Sequence, residues 1–88
     1  MSSSKVAVVI LNWNGEHFLK KFLPTLIENT PRSQVEIVVA DNGSTDGSLL
    51  ILNDYPTVRT ILLDKNFGYT GGYNRALSQV EAQYYVLL

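Results

Sequence analysis

The sequence predicts an α/β fold built on a parallel β-sheet. Short apolar runs without polar alternation recur along the chain, which is typical of strands that are covered on both faces. Amphipathic segments separate these runs, and polar turn-forming residues follow each of the first three. Regular alternation of strands and helices with short links indicates parallel strands joined by right-handed crossovers.

Composition limits the functions that the chain can have. It has 88 residues, which is one domain at most, and a formal net charge of -1. Because the charges balance, nucleic acid is not an expected partner. The absence of cysteine excludes disulfides, thiolate metal sites and cysteine nucleophiles, and nothing indicates an oxidising compartment. We interpret residues 1–4 as a flexible lead-in and residues 5–88 as one domain.

The first strand is predicted at Lys5–Leu11, an apolar run too short to span a membrane. The turn that follows contains Asn14, which we predict to be the N-cap of the next helix. That helix is predicted over Glu16–Glu28. Its apolar positions form one wide stripe, made of Phe18, Leu19, Phe22, Leu23, Leu26 and Ile27. Pro24 removes one hydrogen bond of the helix and predicts a kink or an early end there.

The second strand, Val35–Ala40, leads into the most polar stretch of the chain, Asp41–Ser48. Ser44, Thr45 or Asp46 can cap a short second helix that runs to about Asn53. The third strand is predicted at Val58–Leu63.

A glycine-rich connection, Asp64–Gly72, follows the third strand. A helix is predicted from Tyr73 to about Ala82, and a fourth strand at Tyr84–Leu88. The pair Gly71 and Gly72 allows either tight packing of that helix on the sheet or close approach of a nucleotide, and the sequence does not decide between them.

The stretch Asp41–Ser48 lies where open parallel sheets bind ligands, at the carboxyl ends of the strands. The turn after the first strand lacks the glycine pattern of dinucleotide-binding folds, and no P-loop is present. A basic glycine-rich loop, which nucleotidyl-transferring enzymes need there, is absent too. Two candidate ligand-binding residues remain. Asp41 can accept a hydrogen bond from a ribose hydroxyl or a base N–H, and Trp13 offers a flat surface on which a base can stack. The pattern predicts a mononucleotide pocket whose phosphates need a metal or a basic group from elsewhere.

Simpler structural roles compete with these assignments. Asp, Ser, Thr and Gly are favoured in any strand-to-helix turn, so we interpret Ser44 and Asp46 as capping residues. For Asp41 we favour a ligand-binding role, because it lies at a strand end beside Trp13. The position of Trp13 between two asparagines predicts partial exposure of its indole.

Three segments together resemble the family 2 glycosyltransferases of GT-A fold, with features of the rhamnosyltransferase-like subgroup. They are Val6–Asn14, Asp41–Ser48 and Asn66–Leu77, they follow one another in the expected order, and the resemblance as a whole extends over nearly the whole chain after the serine lead-in. We therefore predict a parallel sheet in the strand order 3-2-1-4, helices on both faces, and a GT-A domain truncated after the fourth strand.

The resemblance implies a nucleotide-diphospho-sugar donor and an inverting transfer of its sugar to an acceptor hydroxyl. It assigns Asp41 and Trp13 to the base, and the backbone of Leu11 to the pocket wall. It assigns Gly68 to a loop that closes over the base, and Asn74 to a position near the phosphates or sugar.

The resemblance also implies functions that lie after Leu88. The family's Asp-X-Asp motif, which holds a divalent metal (Mg or Mn), follows the fourth strand, and the catalytic base and acceptor site come later. We therefore expect this portion to bind donor but to hold no metal, to lack catalytic residues and to be inactive alone. In the full-length enzyme the acceptor is expected to be a saccharide or a lipid-linked acceptor, as in polysaccharide biosynthesis.

Three further expectations complete the interpretation. The protein is expected in the cytoplasm, with the inner face of the membrane as an alternative for the full-length enzyme. An uncovered fourth strand predicts self-association. The alternative function is a non-catalytic α/β module that binds a partner or a nucleotide.

Overall fold

A computed structural model describes residues 4–31 and 33–88. The element order is β1 (Ser4–Asn12), α1 (Glu16–Glu28), β2 (Val35–Asn42), α2 (Ser48–Asn53), β3 (Arg59–Leu63), α3 (Gly68–Leu77) and β4 (Ala82–Leu87). Residues 1–3 of the predicted lead-in lie outside the described residues, and Ser4 is already the first residue of β1. The first strand therefore begins one residue before its predicted start at Lys5, and it ends at Asn12 instead of Leu11.

The four strands form one parallel sheet in the order β3-β2-β1-β4, which confirms the predicted topology. In its register Asn12 of β1 lies beside Asp41 of β2. Because all strands run in the same direction, their carboxyl ends meet at a single edge. That edge is where the polar turns of the sequence come together.

Two hydrophobic clusters, one on each face of the sheet, form the core. One cluster packs α3 against the sheet and consists of Ala7, Val9, Val38, Ala40, Ile61, Leu63, Tyr73, Ala76 and Val80. The other packs α1 and α2 and consists of Ile10, Leu19, Leu23, Ile37, Val39, Ile51, Leu52 and Val58. Successive residues of β2 belong to opposite clusters, as strand geometry requires. The prediction of helices on both faces is confirmed.

Helix α1 has the predicted bounds but not the predicted early end. It continues through Pro24 to Glu28. Pro24 removes the partner of the Lys20 carbonyl, and both residues are exposed, so water can satisfy that carbonyl. The apolar stripe is only partly covered, since Phe18 and Phe22 stack at 4.6 Å on the surface.

Helix α3 begins earlier than predicted, at Gly68 instead of Tyr73, and it ends at Leu77 instead of about Ala82. The glycine-rich segment is therefore mostly helical. A Cβ on Gly72 would lie 2.8 Å from Leu11 Cδ1 and 3.0 Å from Asn42 Nδ2. Glycine at this position thus serves close packing of α3 on β1 and β2, the first of the two alternatives that the sequence left open.

The strand bounds also differ from the prediction. β2 extends through Asp41 and Asn42, which the sequence pattern placed in a turn, and β4 begins at Ala82 instead of Tyr84. β3 begins at Arg59, one residue after the predicted start at Val58. The extension of β2 matters for function, because it makes Asp41 part of the rigid sheet.

Candidate functional site

Asp41 lies at the carboxyl edge of the sheet and is only 2% exposed. One carboxylate oxygen accepts a hydrogen bond from Asn12 Nδ2 at 3.0 Å, and the other accepts one from the Ser44 amide at 2.9 Å. A carboxylate oxygen can accept two hydrogen bonds, so each retains room for one more donor. The side chain is therefore held in a fixed orientation, with one further acceptor position on each oxygen.

Trp13 follows the end of β1 and is 54% exposed, as predicted for its place between two asparagines. Asn14, with a φ of 51°, turns the chain directly after it. The Asn14 side-chain oxygen accepts hydrogen bonds from the amides of Thr45 and Asp46, at 2.7 and 3.3 Å. The prediction that Asn14 caps α1 is therefore wrong: the N-cap is Gly15, and Asn14 instead joins the turn after β1 to the turn after β2.

Ser44 also joins the two turns and does not cap a helix. Its hydroxyl oxygen accepts hydrogen bonds from the Asn14 amide at 2.8 Å and from Asn12 Nδ2 at 3.3 Å. Our interpretation of Ser44 as a capping residue is thus wrong. Its side chain thus binds the backbone just after Trp13 and the side chain of the residue just before it.

Asp46 serves the start of two helices at once. One of its oxygens accepts hydrogen bonds from the hydroxyl and the amide of Ser48, the first residue of α2. The other accepts one from the amide of Glu16, the first residue of α1, at 3.1 Å. The Ser48 hydroxyl, together with these amides, lowers the pKa of Asp46 below its usual 3.8. The N-cap of α2 is Gly47 and not Asp46 as predicted, but the Asp46 carboxylate does accept the first amide of each helix.

Asn42 was not predicted as a site residue, yet it fixes the connection between β3 and α3. Its buried amide donates to Asn66 Oδ1 and to the Gly68 carbonyl, each at 3.1 Å. Its oxygen accepts from the Phe67 amide at 3.0 Å. These bonds hold the β3–α3 connection beside Asp41. The only signal in the sequence was an asparagine directly after a strand, which also suits an ordinary turn.

The structure brings four of the five predicted site residues to one edge. Leu11 and Trp13 lie at the end of β1, and Asp41 lies beside them on β2. The Gly68 carbonyl accepts a hydrogen bond from Asn42, the residue of β2 that follows Asp41. Asn74 is different. It is exposed on α3, on the side opposite the buried residues Gly72, Tyr73 and Ala76. It does not join the other four.

The hydroxyl group of Tyr73, whose side chain is only 4% exposed, reaches the same edge from α3. It accepts a hydrogen bond from the Leu11 amide at 3.4 Å and donates one to the main-chain oxygen of Leu88. Burial raises the pKa of Tyr73 above its usual 10.0, so the hydroxyl stays protonated in neutral solution.

The described residues do not form a metal site. Among residues 4–31 and 33–88, no group of three or more histidine, cysteine, aspartate or glutamate side chains could hold a metal ion. These residues do not fit a divalent cation.

Comparison with known proteins identifies the family. Residues 7–88 match the family model described as glycosyl transferase family 2, and the chain belongs to this family. It is 36% identical over 74 residues to N-acetylglucosaminyl-diphospho-decaprenol L-rhamnosyltransferase of Mycobacterium tuberculosis, a match that covers 83% of this chain and 24% of that protein. It is 28% identical over 90 residues to the teichoic acid poly(glycerol phosphate) polymerase of Staphylococcus epidermidis, a match that covers 97% of this chain and 12% of that protein. The predicted family is thereby confirmed.

Solved structures confirm the GT-A type of fold. S. aureus TarS 1–349 in complex with UDP-GlcNAc superposes with a TM-score of 0.83 at 29% identity, covering 96% of this chain and 26% of that one. A mannosyltransferase from Pyrobaculum calidifontis shares the fold with a TM-score of 0.73 at 24% identity, covering 92% of this chain and 26% of that one. The chain thus spans about a quarter or less of these proteins. Within the part of the chain that the structure describes, no helix is long and apolar enough to cross a membrane.

Proposed function

We propose that this chain is the donor-nucleotide-binding portion of an inverting glycosyltransferase, which transfers a sugar from a nucleotide-diphospho-sugar to an acceptor hydroxyl. The observation that carries the proposal is the pairing of Asp41 and Trp13 at the carboxyl edge. A fixed carboxylate with spare acceptor capacity lies one strand away from an exposed indole. Family membership and the likeness to TarS, solved in complex with UDP-GlcNAc, support this ligand class.

Each site residue has a physical role in this proposal. Asp41 accepts a hydrogen bond from a ribose hydroxyl or a base N–H, and Trp13 stacks on the base. The backbone of Leu11 forms the wall beside them, and the connection that ends at Gly68 closes over the base. The assignment of Asn74 near the phosphates or sugar rests on the family resemblance alone, since its position on α3 faces outward.

The full-length enzyme is proposed to use a divalent metal, Mg or Mn, which would offset the charge of the diphosphate. The residues described here contribute no ligand set for it. What this chain supplies is the position of the base and ribose, and hence the position of the donor. Alone, it is expected to be inactive.

The acceptor of the full-length enzyme is proposed to be a saccharide or a lipid-linked acceptor. The similarity to a transferase whose name specifies a diphospho-decaprenol acceptor supports this class. A cytoplasmic location, at the inner face of the membrane for the full-length enzyme, is part of the same proposal.

A nucleotide titration tests the donor site. Trp13 is the single tryptophan, so intrinsic fluorescence reports on it directly. UDP or TDP at millimolar concentration is expected to quench this signal with a saturating curve. Asp41→Asn is expected to weaken binding by roughly ten- to hundredfold, because it removes a charge-assisted hydrogen bond.

The matched control is Asp54→Asn, which makes the same change of charge at the far end of α2. It should leave the affinity unchanged. If neither nucleotide perturbs the fluorescence of the folded protein, the proposed donor site is wrong, and the module that binds a partner becomes the better interpretation. In the full-length enzyme, the anomeric configuration of the product tests the inverting mechanism.

A further inference from the structure

Two Asn-Gly dipeptides, Asn14-Gly15 and Asn42-Gly43, lie in the segments that carry the candidate site. The side chain of an asparagine can be attacked by the backbone nitrogen of the residue that follows it. Glycine makes this attack easiest, because it has no side chain to hinder ring closure. No other asparagine of the sequence precedes a glycine. The same chemistry can thus occur at two places, and the fold determines how readily it occurs at each.

This reaction is deamidation, and it needs only water. The glycine nitrogen attacks the asparagine Cγ and loses its proton to solvent. The bond between Cγ and Nδ2 then breaks, and Nδ2 takes up a proton and leaves as ammonia. Water opens the resulting five-membered imide at one of its two carbonyls. The product is either aspartate or isoaspartate, whose main chain runs through Cγ and is longer by one methylene group.

The fold protects Asn42 from this reaction. Its side chain is only 2% exposed, and both ends of its amide are bonded. Nδ2 donates to Asn66 Oδ1 and to the Gly68 carbonyl, and Oδ1 accepts from the Phe67 amide. The amide can turn toward Gly43 only when these bonds break and the β3–α3 connection opens. The reaction rate is then reduced to the small fraction of molecules that are open at any moment.

Asn14 lacks this protection. It is exposed, and its φ of 51° is a conformation that asparagine adopts more readily than most residues. Its Oδ1 accepts hydrogen bonds from the amides of Thr45 and Asp46. Two such donors stabilise the negative charge that develops on a carbonyl oxygen when a nucleophile attacks its carbon. Within the part of the chain that the structure describes, Asn14 Nδ2 donates to no protein group, so no bond retains the leaving amine.

We propose that Asn14 is a modification site, at which the folded protein deamidates without an enzyme, while the identical dipeptide at Asn42 is protected. Either product changes the candidate site. Aspartate adds a negative charge to the turn after β1, and isoaspartate lengthens the main chain directly after Trp13. Both are expected to weaken the binding of an anionic nucleotide. This loss of affinity rests on the proposed function, whereas the modification itself does not.

Peptide mapping of the wild-type protein tests the modification. The folded protein is kept at mildly alkaline pH, where the attacking nitrogen loses its proton more readily, and mass spectrometry of digests follows the acid form of each dipeptide over time. The matched control is the same incubation in urea, where the two dipeptides should react at similar rates. In the folded protein Asn14 is expected to react at least roughly tenfold faster than Asn42, because only Asn42 must wait for a local opening.

Two results of the peptide map would overturn the proposal. One is a folded protein in which Asn42 reacts as fast as Asn14 or faster. The other is a folded protein in which Asn14 stays intact while the sample in urea reacts. Both readings use the wild-type chain, so they do not depend on the folding of a variant.

Nucleotide affinity measures the functional consequence. After the alkaline incubation, wild type is expected to bind UDP at least about threefold more weakly than before, as reported by Trp13 fluorescence. Wild type kept for the same time at slightly acidic pH should bind UDP as before. Asn14→Gln should keep its own initial affinity through the alkaline incubation, because glutamine must close a larger ring and reacts far more slowly.

The outcomes separate this inference from the proposed function. If fresh wild type binds UDP and the protein modified at Asn14 binds it equally well, the functional consequence is wrong, while the donor site stands. If fresh wild type binds no nucleotide, the donor site fails, and the peptide map still decides whether Asn14 is the modified residue.

Discussion

At the scale of single residues, the site depends on side chains that bind the backbone of a neighbouring turn. Asn14, Asn42 and Ser44 each connect segments that are far apart in sequence, with partners separated by 24 to 32 positions. These bonds leave Asp41 fixed and Trp13 exposed. The candidate site is thus preorganised, which would lower the entropy cost of binding the proposed donor.

Gly43 and Gly68 provide a matched pair of substitutions. Both have positive φ, 81° and 77°, so alanine is strained at either position. At Gly43 a Cβ would also lie 2.7 Å from the backbone carbon of Lys65, whereas at Gly68 it meets nothing within 4 Å. We expect Gly68→Ala to cost about 1 kcal/mol of unfolding free energy, and Gly43→Ala about 3 kcal/mol or more.

Urea denaturation of the two variants measures the difference. Equal losses of stability would show that the β3–α3 connection gives way easily when Gly43 gains a side chain. Because Gly43 follows Asn42, that result would also mean that the connection is held less firmly than its hydrogen bonds indicate.

The residues that the sequence identified and those that it missed differ in one physical respect. Asp41 and Trp13 could be placed together because strand periodicity alone puts them at the ends of neighbouring parallel strands. Asn14 and Asn42 could not be assigned, because their roles depend on which distant amide their side chains meet. Such pairings follow from the strand register, which a local pattern of residue types does not specify.

At the scale of elements, two reciprocal hydrogen bonds join the amino-terminal ends of α1 and α2. Asp46, before α2, accepts from the Glu16 amide of α1, and the Glu16 carboxylate accepts from the Gly47 amide at 3.0 Å. The free amides of a helix start favour such acceptors. The two turns that carry the site are therefore bound together by both helices as well as by Asn14.

This reciprocal arrangement predicts a dependence of stability on pH. Because the pKa of Asp46 is lowered from 3.8 in the folded state, its contribution is fully present above about pH 3.8 and is lost as the pH falls through the lower, folded value. We expect Asp46→Asn to be less stable than wild type at neutral pH, and the difference to shrink below pH 3.8. Melting temperatures of wild type and Asp46→Asn, measured between pH 2.5 and about pH 7, would show how their stability difference changes with pH.

Asp64→Asn is the control for this comparison, since it makes the same change of charge at an exposed position after β3. A difference between wild type and Asp46→Asn that stays constant throughout this range of pH would argue against an ionised cap.

The start of α3 shows why element bounds were harder to predict than element order. Two consecutive glycines lower helix propensity, and they indicated a loop through Gly72. Packing outweighs that preference, because a Cβ on Gly72 would lie 2.8 Å from the Leu11 side chain and 3.0 Å from that of Asn42, and glycine lets α3 approach both. The number, type and order of the elements were predicted correctly from apolar periodicity, because the same apolar residues pack in the core of the folded protein.

At the scale of the whole molecule, burial is uneven across the sheet. β1 and β2 form its centre and carry nearly all of the fully buried strand residues. β4 pairs with β1 on one side and, within residues 4–31 and 33–88, with no strand on the other. Its residues Tyr84 to Leu87 are between 42% and 63% exposed. The candidate site lies between the rigid centre and this less covered edge.

An apolar edge strand of this kind predicts association between copies of the chain. Unpaired backbone groups along β4 can extend the sheet into a second molecule, and Phe18 and Phe22 add an apolar surface on α1, 47% and 48% exposed. We expect the apparent mass in sedimentation velocity to rise with protein concentration.

Val86→Lys places a charge on the edge strand and is expected to shift the protein toward monomer. Leu50→Lys adds the same charge on the exposed side of α2 and should leave the association unchanged. A wild-type protein that sediments as a uniform monomer at high concentration would contradict this prediction, and equal effects of the two lysine variants would mean that net charge, and not the β4 edge, governs association.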